Sequence, residues 1–228
     1  MNHSSASTPD KMHFTEISSR LSRLYSAVLC DVLDAIGFRH QAVSHQIRPL
    51  FSEARVIGRA RTMLSKPVNR SPERPYAMEL EALDTLAEHD VVVFTTGGDM
   101  SAAVWGELLS MAASAKGARG AIIDGLTRDA ARIGKIEFPV FAKGISSYDS
   151  NGRSEVIAYD IPIQCDGVAV QSGDIVFGDY DGVVVIPASV LEAVIEKAEV
   201  KIRGEQITGE EFKKGRKVSE VFAEYGIL

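Results

Sequence analysis

Between residues 90 and 145, short apolar runs alternate with segments of helical spacing, and this alternation limits the possible folds more than any other feature. The runs are "DVVVFTT" (90–96), "ARGAIIDG" (118–125) and "FPVFAKG" (138–144). Between them lie "SAAVWGELLSMAASAKG" (101–117), which reads as a helix with Ser101 as N-cap and Gly117 as stop, and "TRDAARIG" (127–134), which opens another helical turn. Strands separated by helices are joined by crossovers. Crossovers set the strands parallel and lay the helices on the face of the sheet. The pattern predicts an α/β chain.

The flanks add to this frame. Apolar residues at Ile17, Leu21, Leu24, Val28, Val32 and Ala35 predict one N-terminal helix stopped by Gly37. "ARVIGRARTM" (54–63) reads as a strand with a glycine bend, and "MELEALDTLAEH" (78–89) as a short amphipathic helix. From Ser146 the texture changes to short strands punctuated by "DG" and "SGD" turns, through "RSEVIAYDIPIQCDGVAVQSGDIVFGDYDGVVVIP". Two helical segments close the chain, one entered at Pro187 and one that breaks at Gly215. With no internal repeat or linker, the expectation is a single domain over 16–228 preceded by a loose tail over 1–15.

Bulk properties narrow the function. A chain of 228 residues suffices for one full core. The net charge of −6, with no basic cluster against it, argues against nucleic acid as a partner. The opening "MNHSSASTPDKMHFTE" is polar, and no run reaches the ~20 apolar residues of a membrane span. Cys30 and Cys165 stand apart with no motif around them. These features predict a reduced, cytoplasmic protein that does not engage membranes.

Two junctions at which a strand gives way to a helix carry the candidate chemistry. "TTGGDMSAAVWGELL" places Glu107 among apolar residues, and after twenty intervening residues Arg128 and Asp129 follow in "DGLTRDA". In a parallel strand–helix–strand unit that spacing returns the later strand's end to the earlier helix, so two acids and an arginine can share one pocket. Oxygen ligands with no histidine nearby suit Mg²⁺ or Mn²⁺, and an arginine beside them can grip a planar carboxylate with two hydrogen bonds. The plainer alternatives are a helix capped by Thr127 with Asp129 in its first turn, and an Arg128–Glu107 salt bridge. Lys143 in "PVFAKG" is the one lysine placed for a Schiff-base mechanism, against an ordinary strand-end role.

The assembly "WGELL…GARGAIIDGLTRDA…FPVFAKG…SGDIVFGDYDGVVVIP" resembles the RraA-like family, and within it the 4-hydroxy-4-methyl-2-oxoglutarate/4-carboxy-4-hydroxy-2-oxoadipate aldolases. The resemblance implies a compact α/β domain of the swivelling β/β/α type with mixed sheets and flanking helices, in homotrimers or hexamers. It implies a divalent-metal-dependent lyase that releases pyruvate from a 4-hydroxy-2-oxo acid and decarboxylates oxaloacetate through the same enolate. Asp129 would bind Mg²⁺ or Mn²⁺ directly, with Glu107 meeting it through water. Arg128 would hold the substrate, and Gly106, Glu107, Leu108 and Leu109 would offer backbone N–H groups to its carboxylate. Glu205, with Glu199 as second choice, would reach a neighbouring subunit's site for proton transfer. Glutamate at 107 departs from the aspartate more usual there. The family also holds non-catalytic regulators of an RNA-degrading endonuclease, and these lack the acid after the arginine.

Overall fold

The structure, a computed structural model, describes residues 8–228, with side chains from Phe14 onward. Helices α1 (Thr8–Leu21) and α2 (Ser26–Ala35) lead into strands β1 (Arg48–Pro49) and β2 (Val56–Pro67) and helix α3 (Ala77–Asp84). The alternating stretch holds β3 (Asp90–Thr95), β4 (Ala103–Trp105), α4 (Glu107–Ala115), β5 (Gly120–Thr127), α5 (Ala130–Lys135) and β6 (Val140–Ile145). The β-rich part holds β7 (Ser154–Tyr159), β8 (Ile163–Cys165), β9 (Val168–Val170), β10 (Ile175–Gly178) and β11 (Val183–Ile186). A 3-10 turn (Ala188–Val190), α6 (Leu191–Lys213) and α7 (Val218–Tyr225) complete the chain.

One mixed sheet runs in the order β1-β6-β5-β3-β2-β10-β11, with β4 also on β5 and β7 also on β2. The pairs β2–β3, β3–β5, β4–β5 and β5–β6 are parallel, as the crossovers require, and β10 and β11 add antiparallel strands beside β2. Ala42 bridges to Val184 of β11, while Arg48 pairs with Ala142 of β6. One short stretch thus touches both ends of the strand order, and the sheet curls upon itself.

Apolar side chains fill both sides of the curl. Val91 and Val93 point inward with Val56, Ile122, Phe141 and Val176, under the β8–β9 hairpin. Val92 and Phe94 point outward with Ile123 and Trp105 toward α3, α4 and α5. This two-sided burial is why "DVVVFT" is an unbroken apolar run. Helices α1, α2 and α6 pack on β10 and β11 through Leu29, Leu33, Phe177, Ile195 and Ala198.

Several local expectations change. The single helix expected from Ile17 to Ala35 is two helices, broken over residues 22–25. It starts at Thr8, inside the stretch expected as a tail, while residues 1–7 lie outside the described residues. Gly58 does not bend β2, which stays paired with Val176 there; a Cβ at Gly58 would lie 2.3 Å from the His89 carbonyl oxygen, so glycine is needed for room. The helix expected from Ser101 is strand β4 first and becomes helix only at Glu107. The run "AAVW" is short and apolar, and its spacing fits either state.

Candidate active site

Strand β5 is flanked by β3 as far as Asp124 and by β4 from Leu126 onward, so its C-terminal end meets the start of α4. The Thr127 hydroxyl and the Arg128 N–H both donate to the Trp105 carbonyl, at 3.1 and 2.9 Å. Thr127 is therefore a buried strand residue, not the helix cap. Trp105 is itself buried, and its indole N–H donates to Ser110 at 2.8 Å. These bonds fix Arg128 and Asp129 beside Gly106, the residue that precedes α4.

Gly106 makes that approach possible. A Cβ there would lie 2.9 Å from Asp129 Oδ2 and 3.2 Å from Arg128 Cγ. The Glu107 N–H donates to Asp129 Oδ2 at 3.3 Å. The N–H groups of Leu108 and Leu109, next in the first turn, have no partner among the described residues. This is the donor-rich end that every helix leaves open. Asp129 sits at φ 58, a left-handed conformation uncommon outside glycine. Its carbonyl starts α5 by accepting from the Arg132 and Ile133 N–H groups.

Arg128 and Asp129 line a cleft of 330 Å³, also lined by Glu79 and Leu80 of α3 and by Tyr76 just before it. Arg128 Nη1 lies 3.4 Å from Asp149 Oδ1, and its Nε lies 3.7 Å from Asp129 Oδ2. The Tyr76 hydroxyl donates to Asp149 Oδ2 at 2.6 Å. Burial works to raise the Asp149 carboxyl, but the bonds from Tyr76 and the Asn151 backbone, with the Arg128 charge, hold it below its usual value. Glu79 is only 6% exposed, and burial followed by the Asp149 charge pushes its carboxyl up to about 7.

The sequence-derived candidates divide. Gly106, Leu108, Leu109, Arg128 and Asp129 all line the cleft. Glu107 contributes its backbone, but its carboxylate turns to Arg132, at 2.5 Å from Nε. The alternative Arg128–Glu107 salt bridge is therefore replaced by two others, Arg132–Glu107 and Arg128–Asp149. Glu205 lies on the opposite layer, in the middle of α6, where it accepts from the Tyr25 hydroxyl and lies 3.5 Å from Lys201. Glu199 is held by Arg20 at 2.8 Å. Lys143 does not line the cleft. It lies 2.6 Å from Asp124 and 2.8 Å from Asp166. Burial would lower its ammonium, but the two carboxylates hold it above its ordinary value, opposite to what an amine nucleophile needs. Among the described residues no group of three metal-ligating side chains forms, and no helix is long and apolar enough to cross a membrane.

Sequence reasoning missed Tyr76, Glu79 and Asp149. "PERPYAMELEALD" showed only a helical period, and "SSYDSNG" only a turn.

The model of the family described as "RraA-like: Aldolase/RraA" matches residues 26–185. The chain belongs to the RraA-like family. Every cleft residue lies inside the matched stretch, whereas Glu205 lies beyond it. Among RraA-like relatives, a protein of Halalkalibacterium halodurans provisionally named a 4-hydroxy-4-methyl-2-oxoglutarate aldolase is 30% identical over 76% of this chain and 77% of its own length. Protein DlpA of Legionella pneumophila is 31% identical over 75% of this chain, which spans only 28% of DlpA's length. The crystal structure of Streptomyces coelicolor RraAS2, described as an unusual member of the RNase ES inhibitor RraA protein family, matches with a TM-score of 0.76 at 28% identity. That match covers 86% of this chain and 97% of RraAS2. The RraA-like fold expected from the sequence is the observed one.

Proposed function

We propose that the cleft is the active site of a divalent-metal-dependent lyase that cleaves a 4-hydroxy-2-oxo di- or tricarboxylic acid to pyruvate and a second oxo acid. The observation that carries this reading is Arg128 and Asp129 held side by side against the open N-terminus of α4, in contact with a glycine that alone leaves them room.

The donor set suits a hard cation. Mg²⁺ takes one or two protein carboxylates and fills its remaining positions with water and substrate oxygens. Asp129 would hold Mg²⁺ or Mn²⁺ directly, and Glu107 would join through water by releasing Arg132. When bound, the cation supplies Lewis-acid polarisation of the 2-oxo group. The chain's own groups do the remainder. The Leu108 and Leu109 N–H groups receive the substrate carboxylate, an anion at a helix N-terminus. Arg128 faces the oxygen on which negative charge develops as the enolate forms, and losing such a contact costs roughly 10²–10³ in rate. Oxaloacetate loses CO₂ through the same enolate, so decarboxylation accompanies cleavage. The similarity to provisionally named aldolases supports this reading over that of a non-catalytic regulator of an RNA-degrading endonuclease, as does the acid that follows the arginine.

The test is pyruvate release from 4-hydroxy-4-methyl-2-oxoglutarate and from oxaloacetate, with and without Mg²⁺ or Mn²⁺. Activity is expected only with metal. Arg128→Lys is expected to keep Mn²⁺ binding by electron paramagnetic resonance while losing roughly 10²–10³ in kcat, because lysine lacks the two-pronged geometry. Asp129→Ala is expected to lose both. Full activity after exhaustive chelation, or a fully active Arg128→Lys protein, overturns the proposal.

A further inference from the structure

Glu79 is the charged residue of the cleft that structure alone does not account for. It sits in the first turn of α3, where Ala82 and Leu83 are buried as core, and it is 6% exposed itself. No hydrogen bond or ion pair engages its carboxyl among the described residues. A buried carboxylate without a partner is costly, and an apolar side chain would fill this position at no such cost. Glu79 lines the 330 Å³ cleft, and also a hollow of 10 Å³ shared with Ser65, Ser154 and Glu155. That hollow is about the size of one water. The titratable groups around Glu79 are Tyr76 just before its helix, Asp149, Arg128 and Asp129 of the cleft lining, and Glu155 of β7 in the smaller hollow. Arg128 is joined to Asp149, and Asp149 to Tyr76, so a chain of polar contacts crosses the cleft and ends at Tyr76, three residues before Glu79.

We propose that Glu79 is the base that takes the proton from the substrate's 4-hydroxyl. This rests on the lyase reading above. As the O–H proton passes to the Glu79 carboxylate, the hydroxyl oxygen's electron pair forms the new C=O. The C3–C4 bond breaks, and its electrons move onto the 2-oxo oxygen as the enolate. The enolate carbon later takes a proton from solvent and Glu79 returns its own, so protons balance over a turnover and no oxidant or reductant is used. Burial beside Asp149 suits the task, because a base poised near neutral pH is both available and strong enough.

The two substrates separate this role from a structural one. Oxaloacetate has no 4-hydroxyl proton to surrender, so a missing base harms cleavage and largely spares decarboxylation. Glu79→Gln is expected to lower kcat for cleavage by about 10²–10⁴, with decarboxylation falling by less than about tenfold. Glu79→Asp is expected to recover part of the cleavage rate. The ascending limb of the wild-type cleavage profile near pH 7 is expected to vanish in Glu79→Gln. In the free protein, ¹³C-carboxyl glutamate NMR is expected to show one resonance titrating near 7 that is absent from Glu79→Gln. Equal losses on both substrates, or no such resonance, overturn the assignment. A wild-type protein that turns over neither substrate overturns the lyase reading itself, and this assignment with it.

Discussion

Strand β5 ends between two clusters of charge, and they are built on opposite plans. On the inner face, Asp124, Lys143 and Asp166 form a closed set. Lys143 lies within 2.8 Å of both acids, and the Thr95 hydroxyl and the Asp166 N–H both donate to Asp124 Oδ2. On the outer face, four residues beyond Asp124, Arg128 touches its acids only at 3.4 and 3.7 Å, Glu79 touches none, and two helix N–H groups of the lining residues Leu108 and Leu109 have no partner among the described residues. Every charge of the inner cluster is ion-paired. The outer cluster keeps unspent capacity where a ligand can use it. Ion pairing therefore separates the closed cluster from the candidate site here better than residue type or burial does, since both clusters contain two or more acids and one base, and Glu79 is as buried as Asp124.

The sharpest way to break the comparison is to remove Lys143. Lys143→Met leaves the buried Asp124 and the half-buried Asp166 without a counter-charge, and unfolding free energy in urea is expected to fall by about 3–5 kcal/mol. Adding Asp124→Asn and Asp166→Asn is expected to restore most of that. A loss below about 1 kcal/mol for Lys143→Met would make the inner cluster no more structural than the outer one.

Next in size is a contrast in pH. Lys143 is raised by its acids, so its contribution is fully present across the neutral range, below its ordinary 10.5, and is lost as pH rises past the folded value. Glu79 is raised from 4.5 to about 7, so the folded state keeps a proton that the unfolded state releases. The protein should therefore lose stability as pH rises across that window, by roughly 3 kcal/mol. Chemical denaturation at about pH 5 and about pH 8 is expected to show that decline in the wild type and not in Glu79→Gln. Parallel curves would mean that Glu79 does not carry its proton into the neutral range.

The smallest effect expected is that of Gly106→Ala. The added methyl meets Asp129 Oδ2 and Arg128 Cγ, and the pair must shift by a fraction of an ångström. Pyruvate release is expected to fall by about 10–100-fold, as a misplaced group would cause, with little change in melting temperature. A large loss of stability with intact turnover of the folded protein would assign Gly106 to the core instead.

The half of the cleft made by Gly106, Arg128 and Asp129 was legible because one strand–helix–strand unit contains it, and a local spacing fixes where such a unit returns. The half made by Tyr76, Glu79 and Asp149 was not. Tyr76 and Glu79 reach the cleft only because α3 packs against β7 and α4, and Asp149 because it bridges to Ala103. No period along the chain records either event. Glu107 shows the limit from the other side. Its spacing to Arg128 was read correctly, yet its carboxylate went to Arg132, a nearer cation on the neighbouring helix. Spacing positions a backbone, and local competition then decides where a long side chain points.

Strand β2 has a consequence in time as well as in space. Along one edge it pairs with β3, which follows it closely in the chain. The other edge waits for β7 at Ser154–Tyr159 and β10 at Ile175–Gly178. A chain emerging from the ribosome thus carries a long strand with one open edge until nearly four-fifths of the sequence has been made. Such edges recruit other chains, and contacts so distant in sequence form slowly. Arg59, Arg61 and Lys66 fall at intervals along β2. Repelling charges of this kind guard a waiting edge, and in the finished molecule Arg61 is drawn into pairs with Asp90 and Asp160. The same arginine that discourages a foreign strand during synthesis then clasps the loop that follows β7, and so closes the edge it protected.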